Sequence, residues 1–234
     1  MKVGIMQPYL FPYIGYFQLI NAVDIFVIYD DVNYIKQGWI NRNNILIKDL
    51  AHRFVLPLEG ASSNKMIKDL EIDRRLYDKW KMNFFKTLEQ SYGRAPYYNE
   101  AVLLVNDILS FPDKNLASFL NYSLQLLCNY FNIKTTLKLS SEIQVSKELK
   151  SQAKVIKICE ELEATEYINA TGGRQLYDKT KFLEHSINLN FISSNNIEYK
   201  QFGSVFIPWL SIIDVIMFND VKEITTMLND YKLD

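Results

Sequence analysis

Residues 1–43 constrain this chain more than any other stretch. Lys2 to Met6 is a short apolar run that breaks at a Pro-bounded loop. The loop holds Gln7, Pro8, Pro12, the aromatics Tyr9, Phe11, Tyr13 and Tyr16, and Gly15. A helix-like segment, Phe17 to Val23, follows, and a second apolar run, Ile25 to Tyr29, ends in Asp30-Asp31. Strand, loop, helix, strand is the start of a βαβ unit. In sheets built from such units, ligands sit outside the carboxyl ends of the strands. Both polar clusters, Gln7 to Tyr16 and Asp30 to Arg42, are expected at that edge.

Downstream, the apolar pattern alternates between strands and helices. Ile45-Leu46-Ile47 and Phe54 to Leu58 read as two strands joined near Lys48 to His52, and Ile67 to Ile72 as a short strand. Leu76 to Tyr92 carries Trp80, Phe84, Phe85 and Leu88 at helical spacing, and Gly93 stops it. Tyr97 to Leu109 and Asn115 to Tyr130 complete a helical lobe expected over 76–132, inserted in a single α/β domain over 1–234. Thr135 to Leu139 returns the chain to a sheet. Lys147 to Leu162 reads as a helix, Glu166 to Ala170 and Asn188 to Ile192 as strands, and Val221 to Tyr231 as a last helix. The expected class is α/β, with a mostly parallel sheet, flanking helices and a helical insertion.

Two long blocks, Ile5 to Ile20 and Tyr29 to Asn43, resemble the WbqC-like family of bacteria. Shorter matches lie at Tyr167 to Ala170, Gly172-Gly173, Leu176-Tyr177-Asp178 and Leu210 to Asp214. The likeness implies a setting in surface-polysaccharide (O-antigen type) biosynthesis, and it implies the setting more firmly than a reaction. A shorter likeness concerns the first loop. Nucleotidyltransferases and pantothenate synthetase-like ligases of the HUP, Rossmann-like class carry a Pro followed by His-x-Gly-His. Pro12-Tyr13-Ile14-Gly15-Tyr16 is similar, with Tyr at both histidine positions. This implies a shared fold. It puts ATP-dependent nucleotidyl transfer in doubt, because tyrosine has no cationic form to steady phosphates.

Composition excludes several classes. A net charge of −1 gives no electrostatic footprint for DNA or RNA. No apolar run approaches the ~18 residues of a membrane span. The start of the chain, one Lys and then a strand and two prolines, is not a signal-peptide pattern. Cys128 and Cys159 fall in helical apolar patterns and read as reduced core residues of a cytosolic (cytoplasmic) protein. With two His, two Cys and no paired spacing, neither a Cys/His metal site nor a tightly bound metal or redox cofactor is expected. The 15 Tyr suit sugar and nucleotide pockets, although any single Tyr more often packs at the edge of a core.

The candidate site residues fall in three clusters. Gln7, Tyr9, Tyr13, Gly15 and Tyr16 come first, with Gly15 allowing close approach of phosphate to a helix N-terminus. Asp30 and Asp31 follow a strand, where a carboxylate binds sugar hydroxyls, holds a cation or acts as a base; an exposed turn pair is the plain alternative. Lys36, Trp39, Asn41 and Arg42 offer a point charge, a flat face and a bidentate fork. Asn169, Gly172, Gly173 and Tyr177 flank a third loop whose backbone N–H groups suit an anion. His52 and His185 read as structural. Asp214, inside an apolar run, must pair if buried, with a cap or an Arg as the default partner, and Ser211 suits a helix cap.

These clusters point to a transferase that acts on a nucleotide-linked sugar, with acyl or aminoacyl transfer to an amino sugar from a small acyl donor. Asp30 or Asp31 would be the base, Gly172 and Gly173 the oxyanion donors, and Lys36 and Arg42 the phosphate anchors. Two alternatives stay open: a nucleotidyltransferase or adenylate-forming ligase, and a non-catalytic binding protein in glycan assembly.

Overall fold

The computed structural model describes residues 1–146 and 148–234. Its centre is a six-stranded sheet. Five strands are parallel: β1 (Lys2–Met6), β2 (Ile25–Ile28), β7 (Thr136–Leu139), β8 (Glu166–Ala170) and β9 (Asn188–Ser194). The sixth, β10 (Tyr231–Leu233), pairs antiparallel with β9 at one edge. The spatial order is β10-β9-β8-β1-β2-β7. The chain therefore walks outward from β1 in one direction, returns, and walks outward in the other. That is the order of a doubly wound Rossmann-type sheet, and its reversal lies between β1 and β8.

The two strands part at that point. Pairing of β1 with β8 ends at Gly4 and Ile168, whereas β1 pairs with β2 as far as Met6 and β8 with β9 as far as Ala170. A crevice at the carboxyl ends of β1 and β8 is built into the topology.

Strand alternation sends residues to two cores. Phe26, Ile28 and Ile168 join one core with α1 (Ile14–Asn21), α7 (Ile212–Phe218) and α8 (Val221–Leu228). Val3, Ile5, Val27 and Tyr167 join the other, against α5 (Ser151–Glu161) and α6 (Lys179–Glu184). Between β2 and β7 the chain adds a hairpin of β3 (Arg42–Ile47) and β4 (Leu50–Val55) and a short pair, β5 (Leu58–Glu59) and β6 (Glu71–Ile72). Three helices follow: α2 (Arg74–Tyr92), α3 (Tyr98–Leu109) and α4 (Leu116–Tyr130). They share the first core: Leu116, Leu120, Leu124 and Leu127 of α4 are fully buried, each contributing about 1.5–3 kcal/mol.

Several local features differ from the sequence reading. The first helix starts at Ile14, three residues early, because Pro12 and Tyr13 lead directly into it. Residues 67–69 form a 3-10 turn, leaving only Glu71–Ile72 as strand. The last helix ends at Leu228, and Tyr231, expected to end it, begins β10 instead. The expected helix start at Lys147 lies outside the described residues, and α5 begins at Ser151. The β3–β4 turn is two residues, Lys48-Asp49, both with φ between 50° and 60°, the conformation that matches strand twist. His52 is consequently on β4 rather than in a turn. Both cysteines are free and buried, and burial pushes each thiol up to about 12. Among the described residues, no helix is long and apolar enough to cross a membrane.

Candidate functional site

At the carboxyl end of β1 the first sequence cluster meets Trp39, the one candidate of the second cluster that lines the same cavity. Met6, Gln7, Pro8, Tyr9, Tyr13 and Tyr16 form one wall of a cavity of about 270 Å³, and Ile35, Gly38, Trp39 and Ile40 form the other. The loop that supplies the first wall is strained. Phe11 is buried with φ 44°, a conformation costly for a bulky residue. Its carbonyl is held by Asn43 Nδ2 at 2.5 Å and by Ser211 Oγ at 2.9 Å, so two distant elements fix the turn. Tyr16 is buried and donates its hydroxyl to the Gln7 carbonyl at 2.9 Å. Tyr9 stacks on Trp39, with ring centroids 6.0 Å apart, and meets Tyr16 edge-on. Trp39 remains 43% exposed, so one wall of the cavity is a flat aromatic surface within reach of a ligand.

Tyr13 separates this cavity from a smaller one of about 60 Å³, lined by Ser194 at the end of β9, by Asn195 and Asn196 after it, and by Tyr199, Phe206 and Trp209. Its ring lies over Gly15, where an added Cβ would collide with it, and packs edge-on to Trp209 at 5.8 Å. Gly15 thus makes room for Tyr13 over the start of α1. Trp209 is 71% exposed with φ 61°, a strained and solvent-facing aromatic that the sequence reading did not single out. None of the ten residues lining the larger cavity is charged. Burial raises the hydroxyls of Tyr9, Tyr13 and Tyr16, so all three are neutral at pH 7.

Asp30 and Asp31 form a separate cluster at the carboxyl ends of β2 and β7. Asp30 is 1% exposed. It accepts from Ser140 Oγ at 3.0 Å, Ser141 N at 2.9 Å and Ser141 Oγ at 2.6 Å. Its oxygens are committed to the turn after β7. Asp31 shares the single Ser140 hydroxyl proton with Asp30, at the shorter distance of 2.5 Å, and pairs with Lys154 Nζ at 2.7 Å. Burial pushes the Asp31 carboxyl up, but the hydrogen-bonding Lys154 ammonium and Ser140 hydroxyl outweigh it and hold the group below the ordinary carboxylate range. Lys154 is itself nearly buried and lies 5.1 Å from the Tyr29 ring centroid. Ser140, Ser141 and Lys154 were not legible as partners: they lie more than 100 residues away along the chain.

The other candidates fall into distinct places. Asn41 is buried, accepting from Tyr34 at 2.8 Å and donating to the Leu56 carbonyl at 2.8 Å, so both ends of its amide fasten the loop. Arg42 donates to the Lys36 carbonyl at 2.5 Å, and Lys36 itself is exposed. Gly173 allows the turn after β8 to close over Asn169, while Gly172 faces open space. Tyr177 packs edge-on to Tyr167 at 5.7 Å, against the second core. Arg174 pairs with Asp234. This third cluster borders the crevice from the β8 side, but none of it lines the aromatic cavity. His185 hydrogen-bonds Glu160 at 2.6 Å on the surface. Asp214 has no Arg partner: Tyr92, Tyr199 and Gln201 donate to it at 2.6–2.8 Å, and burial pushes its carboxyl up. Ser211 does cap α7, accepting from Ile213 N at 3.2 Å. A wider groove of about 430 Å³ between α5 and α6 is lined by side chains paired with one another, Lys157 with Glu160 and Glu160 with His185.

Two comparisons with known proteins bear on this architecture. A protein of Mycobacterium tuberculosis, Rv1507c, named only as uncharacterized, is 31% identical over 221 residues, covering 93% of each chain. No solved structure matches. The model of the WbqC-like protein family matches residues 7–226, which include the aromatic loop, the Asp30-Asp31 turn and the glycine pair, and the chain belongs to that family.

Proposed function

We propose that the protein is an enzyme of surface-glycan precursor synthesis that binds a nucleotide-linked sugar and forms an amide on an amino sugar, with an acyl or aminoacyl donor. The observation that carries the reading is the uncharged aromatic cavity at the carboxyl end of β1, one of the two strands that flank the reversal of strand order at which doubly wound sheets place nucleotide ligands. The glycan setting rests on the family likeness. In this reading Trp39 and Tyr9 take the flat part of the ligand, and the turn at Gly172-Gly173 supplies backbone N–H groups from across the crevice.

The acidic pair takes revised roles. Asp30, enclosed by Ser140 and Ser141, positions the strand ends. Asp31 is partly accessible, but a carboxyl held low is a weak base near neutral pH. It is assigned to orient the acceptor's amino or hydroxyl group, and rate enhancement comes chiefly from alignment of amine and donor carbonyl. Purified protein incubated with nucleotide-linked amino sugars and acyl or aminoacyl donors is expected to yield the acylated sugar by mass spectrometry. Binding without any new mass across a broad panel would overturn the transfer step.

One observation favours a second reading, a non-catalytic binding protein: no carboxylate, histidine, lysine or arginine lines the aromatic cavity, and its tyrosines are neutral at pH 7. Retention of glycan output by a folded Asp31→Asn variant would support it. Nucleotidyl transfer is less well supported, because neutral Tyr13 and Tyr16 stand where cationic groups would steady phosphates.

A further inference from the structure

We infer that Arg53 is the anion anchor of the aromatic cavity, holding the diphosphate of its ligand. The ligand's nucleotide character rests on the reading above; the cation's place rests on geometry. The cavity itself carries no charge, so a phosphate bound there needs a cation at its rim. Arg53 Cζ lies 5.3 Å from the centroid of Trp39, the same ring that stacks on Tyr9. Its charge reaches the cavity: it opposes the upward push that burial and Tyr13 give the Tyr9 hydroxyl.

Among the described residues, no carboxylate lies within 4.0 Å of Arg53 and no protein acceptor engages its guanidinium, so the fork is free for a ligand. Arg42, one of the two cations that the sequence reading assigned to phosphate with Lys36, differs. Its Nη2 is spent on the Lys36 carbonyl and its Nε is buried without a partner. Arg53 also sits on a rigid element. It is on β4, paired opposite Asn44, in a hairpin whose two-residue turn fixes the register. Stacking on Trp39 restricts a side chain that would otherwise lose rotamer freedom on binding.

The test is titration calorimetry on the full chain with inorganic pyrophosphate, with UDP, CDP, GDP and ADP, and with the matching nucleosides. Arg53→Gln is expected to weaken pyrophosphate and the tightest-binding nucleoside diphosphate about tenfold or more, as loss of a charged hydrogen-bonding group implies. Nucleoside binding should stay within about twofold. Arg53→Lys, which keeps the charge but not the fork, should fall between, and Arg42→Gln should change pyrophosphate binding less than about threefold. Circular dichroism checks that each variant folds. Full-strength diphosphate binding by Arg53→Gln would overturn the anchor and leave the nucleotide reading intact. Arg53-dependent pyrophosphate binding, with no nucleoside diphosphate binding tighter than pyrophosphate, would support the anchor and remove the nucleotide reading. Failure of the wild-type protein to bind any of these anions would overturn the anchor.

Discussion

The aromatic cavity and the Asp30–Asp31 cluster occupy the same edge of one sheet and are built on opposite terms. The cavity has space and no charge: Tyr9, Tyr13, Tyr16 and Trp39 wall about 270 Å³ with neutral groups. The acidic cluster has charge and no space: two serines and a nearly buried lysine occupy the carboxylate oxygens. A ligand can enter the first without displacing a hydrogen bond, whereas entry to the second must break several. Sequence proximity to a strand end marks both regions as candidates, and only the partners separate a binding surface from a fastening. Asp31 lies between the two, tied to Lys154 yet partly accessible.

The largest effect that would test this contrast is on stability. Lys154→Met leaves the Asp31 carboxylate without its cation and should cost about 3–5 kcal/mol, read by urea denaturation. Adding Asp31→Leu should recover most of that loss, since removing both charges removes the uncompensated one. If Lys154→Met is neutral, the cluster is not a fastening. Next in size, Trp39→Ala should weaken nucleotide-sugar binding by about 2 kcal/mol while shifting stability by less than about 1 kcal/mol, because much of the ring already faces solvent. The reverse pattern would make Trp39 a packing residue.

Part of this arrangement was readable from the chain alone. The runs at Lys2 to Met6, Ile25 to Tyr29 and Glu166 to Ala170 gave three neighbouring strands, because strands buried on both faces read as continuous apolar stretches. Both loops were expected at one edge of the sheet, and Tyr9 and Trp39 stack there. What stayed hidden depends on contacts between distant residues. Ser141 reaches Asp30 across 111 positions and Lys154 reaches Asp31 across 123, and no local pattern marks either. Arg53 was missed because an exposed strand cation resembles any other until its neighbour is known. β10 is three residues long, too short for alternation to show.

The smallest expected effects are in pH dependence, and they have opposite signs at the partly accessible Asp31 and the buried Asp214. The Asp31 carboxyl is held low in the fold, so its contribution is present above the unfolded value of about 3.9 and is lost as pH falls through the folded value. Asp31→Asn should flatten the acid limb of a stability–pH curve below about pH 4. The Asp214 carboxyl is held high by burial among Tyr92, Tyr199 and Gln201. Its contribution is full below about 3.9 and is lost as pH rises through the raised value. Asp214→Asn should flatten the curve on that side. Like signs at the two positions would contradict the electrostatic distinction between them.

The aromatic cavity is expected to hold the nucleotide part of the ligand, and the Asp30–Asp31 cluster to keep its internal contacts while Asp31 orients the acceptor group. A crystal structure with a nucleotide-linked sugar soaked in tests it most directly. Ligand density is expected against Trp39 and Tyr9, with phosphate oxygens beside Arg53 and the Asp30–Ser141 and Asp31–Lys154 contacts unbroken. Density that displaces Lys154 from Asp31, or that lies in the groove between α5 and α6 with the Tyr9–Trp39 cavity empty, would contradict it.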